Sequence, residues 1–241
     1  MNILSIGNSF STDAQRYLHS IAKADGTELS CFNLFIGGCS LSTHYRNMLS
    51  GEKSYELEIN GESTGLSVSL EEALLSRSWD IITLQQVSNE APFYETYQPY
   101  LDSIAEYVRS RVPKARLALQ QTWAYEENSY RLNTELGYRH HQDMFRDLET
   151  AYSDAARAIS ADFIIPSGAL FQSLIENGIQ NVHRDTFHAD LGIGRYALGL
   201  LWYSAITGRS VKNNTFRELD EAATDEQLEI AKKCVDELIL K

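Results

Sequence analysis

Short apolar segments alternate along this chain with stretches of helical periodicity, and this alternation constrains the possible folds more than any other feature. The apolar segments predict five strands, each nearly continuous in apolar residues, as strands are when helices cover both faces of a parallel sheet. The predicted strands are Asn2–Ile6, Ser30–Ile36, Asp80–Leu84, Arg116–Gln120 and Asp162–Ile165. Helices are predicted between and after them, at Asp13–Ala24, Leu41–Leu49, Leu70–Arg77, Gln98–Arg111, Arg139–Ser160, Asp190–Ile206 and Asp225–Leu240.

The order of these elements predicts an α/β fold, a three-layer α/β/α sandwich around a five-stranded, mostly parallel sheet. Strand–helix–strand units connect with a right-handed crossover, which gives a doubly wound sheet with helices on both faces. Residues 54–69 interrupt the alternation, because apolar and polar residues alternate there around Asn60-Gly61, which indicates a β-hairpin insertion. The chain contains no internal repeat, low-complexity tract or linker, so we expect one domain over residues 1–241.

The charge and cysteine content restrict the partners of the protein. A net charge of −12 disfavours binding to nucleic acid or to an anionic membrane, because both require clustered Lys and Arg. The three cysteines, Cys31, Cys39 and Cys234, are widely spaced and predict reduced, buried thiols. Met1-Asn2 provides no basic segment of a signal peptide, so we expect a cytoplasmic protein, or a secreted or periplasmic one if the sequence is trimmed. The sequence leaves the oligomeric state open.

The first predicted strand ends at Gly7-Asn8-Ser9, which is a common way to present a nucleophile. The glycine permits a sharp turn, and the helix that follows offers free backbone N–H groups and the positive end of its dipole. The same pattern is also typical of a simple helix cap. Ser9 is therefore a candidate nucleophile that needs a partner elsewhere in the chain.

That partner is predicted near the last helices, at Asp185 and His188. A spacing of three residues allows the carboxylate to hold one imidazole N–H, which leaves the other ring nitrogen free to take a proton from a serine. The alternative is an aspartate that caps the next helix beside an unrelated histidine. His140 and His141 are adjacent on a predicted helix and point about 100° apart, so a shared metal ion is not expected. Arg195 is a candidate for a structural ion pair.

With Ser9 first and Asp185-x-x-His188 last, the chain resembles the SGNH (GDSL-type) hydrolase superfamily. It is most similar to bacterial members that resemble carbohydrate and sialate acetylesterases. The resemblance covers essentially the whole chain and implies a flavodoxin-like sandwich and a Ser9–His188–Asp185 triad. Gly7-Asn8-Ser9 departs from the Gly-Asp-Ser of the superfamily by an Asn in place of the Asp.

The resemblance also implies which groups form the oxyanion hole. The backbone N–H groups of Ser9 and Gly38 are two donors, and a side-chain amide after the third strand is the third. The superfamily usually has Asn at this point, but here the strand runs into Gln85-Gln86, so Gln85 is expected to supply the amide and Gln86 is the alternative. Asn89 lies further along the same loop and stays open as a donor.

Together these residues predict a serine esterase that removes a short acyl group, most plausibly acetyl, from a small-molecule or polysaccharide ester. This chemistry needs no metal or organic cofactor. The alternatives are a lipid or thioester hydrolase of the same fold and a non-catalytic carbohydrate-binding protein. The segment Trp123–Tyr138 is rich in Tyr, Asn and Glu, and it predicts a loop that forms either a sugar-binding wall or a lid.

Overall fold

The computed structural model describes residues 1–240 and contains a seven-stranded sheet in the order β4-β3-β2-β1-β5-β6-β7. Five of these strands are parallel to one another and correspond to the five predicted from the sequence. They are β1 (Asn2–Gly7), β2 (Ser30–Phe35), β5 (Ile81–Leu84), β6 (Arg116–Gln120) and β7 (Phe163–Ile165). The predicted α/β sandwich is therefore confirmed.

The predicted hairpin extends this sheet instead of standing apart from it, which raises the strand count from five to seven. Its strands are β3 (Tyr55–Ile59) and β4 (Glu62–Val68), and β3 pairs antiparallel with β2 at the sheet edge. Asn60 and Gly61 connect the strands with φ values of 54° and 81°, as expected for a two-residue hairpin turn.

Nine α-helices within residues 1–240 flank the sheet. They are α1 (Ser9–Gln15), α2 (Leu18–Ala24), α3 (Leu41–Ser50), α4 (Leu70–Leu75), α5 (Tyr100–Arg111), α6 (His141–Ala158), α7 (Ser167–Glu176), α8 (Ile193–Thr207) and α9 (Asp225–Ile239). In this described part of the chain, no helix combines the length and apolar composition that crossing a bilayer requires.

Two of these helices differ from the sequence prediction. The first predicted helix begins four residues earlier, because the Asn8 side chain caps it, and it is interrupted at Tyr17, where φ is −113° and ψ is −2°. Helix α7 follows directly on Pro166 and was not predicted, although its buried Leu170, Phe171 and Leu174 have helical spacing.

Helices α1, α2, α8 and α9 pack against one another on one face of the sheet, and α3, α4 and α5 pack together on the other. Helix α8 is buried along almost its whole length. The cysteines Cys31, Cys39 and Cys234 are buried and unbridged. In this arrangement the carboxyl ends of β1, β2, β5 and β6 meet at one edge of the sheet, where ligands of doubly wound folds bind.

Candidate active site

The turn after β1 places Ser9 at the first position of α1. Asn8 caps the helix by accepting a hydrogen bond from the Phe10 N–H at 3.0 Å, and Ser11 completes a capping box. Gly7 is required here, because a Cβ at this position would lie 2.1 Å from Ser11 Oγ. Local capping and close packing therefore fix the position of the Ser9 backbone before any distant contact is made.

Ser9, His188 and Asp185 form a continuous hydrogen-bonded chain. Ser9 Oγ lies 2.8 Å from His188 Nε2, and His188 Nδ1 lies 2.7 Å from Asp185 Oδ2. The other oxygen of Asp185 accepts the His188 backbone N–H at 2.8 Å, which restrains the carboxylate beside the ring. With the Nδ1 proton held by Asp185, Nε2 is the nitrogen that can accept the Ser9 proton.

The environment of Asp185 keeps this carboxylate ionised. Partial burial raises its pKa, but the hydrogen bonds from the His188 side chain and backbone outweigh burial and hold the pKa below its ordinary value. The negative charge is therefore available to stabilise an imidazolium when His188 takes a proton.

A buried carboxylate, Asp13, holds the segment around His188 against α1. Asp13 is fully buried and accepts hydrogen bonds from Arg184 Nη1 at 2.9 Å and from the Ala189 N–H at 3.1 Å. Arg184 directly precedes the Asp185–His188 segment and Ala189 directly follows it, so Asp13 holds both ends of the segment. Because Asp13 lies one helical turn after Ser9, the same helix carries Ser9 and anchors the segment that carries His188.

Arg195 completes the surroundings of Asp13, as expected for a residue in a structural ion pair. Its Nε donates to Asp13 Oδ1 at 2.8 Å, and its Nη1 donates to Asp220 at 2.9 Å. Arg16 also binds Asp220, through two contacts of 2.7 Å, and these hydrogen bonds lower the pKa of Asp220 to about 2. The ion-pair network therefore continues from the buried Asp13 to the surface.

A cavity of about 380 Å³ lies beside Ser9 and His188. It is lined by Asn8, Ser9, Phe10, Gly37, Gly38, Val87, Ser88, Asn89, Tyr125, Arg131, Phe187 and His188. Gly38, whose backbone N–H was expected to point toward the reacting ester, is one of these lining residues. Gly38 has φ +62°, which strains any residue with a Cβ, although no atom lies within 4 Å of the Cβ position. Among residues 1–240, the backbone N–H groups of Ser9 and Gly38 have no hydrogen-bond acceptor.

The structure does not bring the side chain of Gln85 or Gln86 to this cavity, contrary to the expectation from the resemblance. Gln85 Nε2 donates to Asn8 Oδ1 at 2.6 Å, and the side chain is buried. Gln86 Nε2 donates to the Thr96 carbonyl at 3.0 Å, on the other side of the loop. These hydrogen bonds hold both side chains inside the protein, and neither residue lines the cavity. Asn89, in the turn that follows, does line it.

The loop after β6 forms one wall of the cavity with Tyr125 and Arg131. The Tyr125 hydroxyl lies 2.9 Å from Ser88 Oγ, across from the loop after β5. The Arg131 guanidinium stacks on the Phe187 ring at 4.1 Å, and Phe187 contacts the His188 ring with centroids 3.9 Å apart. The sequence predicts this loop but does not indicate a role for Arg131. It shows only a basic residue in a segment rich in Tyr and Asn.

Three further histidines, His140, His141 and His183, bind other partners. His140 Nδ1 bonds to Glu127 at 2.8 Å, whereas His141 Nδ1 bonds to Gln172 at 3.0 Å. His183 Nε2 lies 3.0 Å from the Ala124 carbonyl and is partly buried. Within residues 1–240, no group of three or more His, Cys, Asp or Glu side chains has the arrangement of a metal site.

The role of Asp13 predicts a large stability loss when its charge is removed. We expect Asp13→Asn to lower the free energy of unfolding by about 3–5 kcal/mol, because it leaves Arg184 without its counterion and Arg195 with Asp220 alone. The matched control is Asp143→Asn, which breaks an exposed pair with Arg146 on α6 and should cost less than about 1 kcal/mol. Urea unfolding of both variants measures the difference, and equal losses would contradict the assigned role.

Comparisons with known proteins agree with this fold. The family described as a domain of unknown function (DUF4886) matches residues 2–236. A DUF4886 protein from Bacteroides uniformis, known from its crystal structure, is 32% identical, with a TM-score of 0.93 and coverage of 100% of this chain and 95% of that one. No protein of curated function matches the sequence.

More distant structures share the fold at low sequence identity. A candidate SGNH hydrolase from Slackia heliotrinireducens has a TM-score of 0.63 at 21% identity, with 86% of this chain and 98% of that one covered. A variant of a Geobacillus acetyl-xylooligosaccharide esterase has a TM-score of 0.52 at 15% identity, with 85% of this chain and 91% of that one covered. The chain has the SGNH hydrolase fold and belongs to the DUF4886 family.

Proposed function

We propose that this protein is a serine esterase that removes a short acyl group, most simply acetyl, from a carbohydrate ester. The observation that carries the proposal is the chain of hydrogen bonds from Ser9 through His188 to Asp185 at the edge of a cavity. A serine, a histidine and a carboxylate in this geometry perform nucleophilic acyl transfer on several unrelated folds.

The reaction proceeds in two steps. Ser9 Oγ attacks the ester carbonyl carbon while His188 Nε2 takes the hydroxyl proton, and the resulting tetrahedral intermediate carries a negative charge on oxygen. The bond to the alcohol oxygen then breaks, and His188 returns the proton to that oxygen, leaving an acyl group on Ser9. A water molecule, deprotonated by His188, attacks the acyl-enzyme, and the carboxylic acid leaves as Ser9 recovers its proton.

The oxyanion of the intermediate is bound by the backbone N–H groups of Ser9 and Gly38, with the side-chain amide of Asn89 as the third donor. Both N–H groups lack other acceptors among residues 1–240, and the side-chain amide of Asn89 likewise makes no hydrogen bond within that range. Asn89 takes the role that the sequence assigned to Gln85, whose amide is committed to Asn8. Donors that are already oriented before the charge develops need no reorganisation, so each contributes about 3 kcal/mol to the transition state.

The composition of the cavity favours a small, polar substrate. Its volume of about 380 Å³ is at the small end of ligand sites, and its walls combine the aromatic rings of Tyr125 and Phe187 with polar groups from Ser88 and Asn89. Aromatic faces beside hydrogen-bonding groups suit the apolar and hydroxylated faces of a sugar ring. The likeness in fold to an acetyl-xylooligosaccharide esterase is consistent with this substrate class.

Removal of the nucleophile tests the reaction itself. We expect Ser9→Ala to lower kcat on p-nitrophenyl acetate by roughly 10⁴-fold or more, since the acyl-enzyme cannot form. The double variant with His188→Ala should be no slower, because residues that act as a unit are not additive. Ser103→Ala on α5 is the control. Equal rates for wild type and Ser9→Ala, or no hydrolysis of any ester by either, would favour the non-catalytic alternative.

A second pair of variants tests the oxyanion hole. We expect Asn89→Ala to lower kcat by roughly 10²-fold with little change in KM, because the lost hydrogen bond forms with the charge of the intermediate. Ser88→Ala is the matched control from the same loop, since its hydroxyl bonds to Tyr125 and not to the reacting ester. If Asn89→Ala and Ser88→Ala have the same kcat, Asn89 is not an oxyanion donor.

A series of acyl lengths separates the acetylesterase from the lipid or thioester alternative. On p-nitrophenyl esters, we expect kcat/KM to fall by about tenfold or more from acetate to octanoate, because the cavity beside Ser9 offers little apolar volume for a long chain. Steady-state kinetics on acetate, butyrate and octanoate measure this trend. A rise toward octanoate would identify a lipid or thioester hydrolase.

A further inference from the structure

One charged side chain stands out in the cavity beside Ser9. Of the residues that line it, Arg131 alone carries a permanent charge, in a protein whose net charge is −12. A neutral acetylated sugar needs no charged partner at this place, because neutral hydroxyl and amide groups can already donate to its hydroxyl oxygens.

The guanidinium of Arg131 is held in place but has unused donors. It stacks on the Phe187 ring at 4.1 Å and forms an i,i+4 ion pair with Glu135, whose carboxylate lies 3.8 Å away, beyond hydrogen-bond distance. Within residues 1–240 no acceptor forms a hydrogen bond with its side chain, which is about 43% exposed. By contrast, Arg184 and Arg195 near the same site donate to the buried Asp13.

The position of Arg131 indicates which half of an ester it contacts. The departing alcohol receives its proton from His188 Nε2, so the alcohol half of the substrate lies on the His188 side of the cavity. Phe187 connects this side to Arg131, since its ring packs against the imidazole and the guanidinium alike. A charged group on the alcohol half is therefore the one within reach of the guanidinium.

We infer that Arg131 binds a carboxylate on the alcohol half of the substrate, and that the substrates are acylated acids, such as an O-acetylated sugar acid. The planar guanidinium presents paired N–H donors that match the two oxygens of a carboxylate. This inference rests on the proposed esterase activity and adds the chemical class of the alcohol.

The experiment compares two aryl acetates that differ in charge. The probes are 4-acetoxybenzoate and 4-acetoxybenzamide, and each kcat/KM is divided by the rate of alkaline hydrolysis of the same probe, which removes the difference in leaving group. For the wild type we expect a corrected preference for the carboxylate of about tenfold or more. In Arg131→Gln the preference should fall to about one, mainly through KM, and Arg131→Lys should retain part of it.

Arg139→Gln is the control, because it removes the same charge from an exposed residue at the end of the same loop that does not line the cavity. It should keep the wild-type preference. An equal loss on both probes in Arg131→Gln would mean that Arg131 only supports Phe187, and the inference would be wrong. A wild type without preference would overturn it as well.

Binding to the Ser9→Ala variant distinguishes this inference from the proposed reaction. Chemical-shift titration of that variant with 4-hydroxybenzoate and 4-hydroxybenzamide measures charge selectivity without hydrolysis. The reaction proposal fails if the wild type hydrolyses neither probe. The carboxylate site still stands in that case if Ser9→Ala binds the benzoate more tightly than the benzamide and the double variant Ser9→Ala/Arg131→Gln does not. Equal binding of the two ligands would overturn the carboxylate site.

Discussion

The buried carboxylate of Asp13 is the constraint on which the geometry of the site depends. Ser9 and His188 are 179 residues apart in the chain, yet they must lie within hydrogen-bond distance. An isolated carboxylate in a protein interior costs several kcal/mol, and this cost is offset only when hydrogen-bonded cations surround it. Asp13 meets this requirement with Arg184 and Arg195, and both come from the part of the chain that carries His188. The energetic demand of one buried charge thus brings the two halves of the triad together.

A second set of contacts accounts for both departures of this sequence from the superfamily pattern. Asn8 stands where the superfamily has Asp, and Gln85 where it usually has Asn. Asn8 Oδ1 accepts from Gln85 Nε2, while Asn8 Nδ2 donates to the Cys39 carbonyl at 3.1 Å. An aspartate at position 8 has no donor for that carbonyl, so the amide connects the ends of β1, β2 and β5 in a way that a carboxylate could not. The two amides therefore form a hydrogen-bonded structural unit beside Ser9, whereas the Asn89 side chain belongs to no such pair.

The features that could be predicted from the sequence are those fixed by local periodicity or short spacing. The five core strands follow from continuous apolar runs, and the Asp185–His188 pair follows from a spacing of three residues in one loop. The positions of the Gln85 and Asn89 amides could not be predicted in this way, because they depend on how the chain turns after β5. Asp13 gave no signal either, since an aspartate at the first position of a predicted helix is ordinarily solvated and its partners lie more than 170 residues away.

Under the proposed function, the groups that perform chemistry are held differently from those that contact the rest of a substrate. Ser9 and His188 are fixed by helix capping and by the ion pairs of Asp13, so their relative position is insensitive to changes elsewhere on the surface. Asn89, Tyr125 and Arg131 instead come from the loops after β5 and β6. The hydrogen bond between Ser88 and Tyr125 joins these loops to each other, and Arg131 contacts the His188 segment through Phe187. Substitutions in these loops can change the charge and shape that the cavity accepts while the triad stays intact. Under the proposed activity, new residues at these loop positions are therefore sufficient to change the substrate, with the buried network beneath them unchanged.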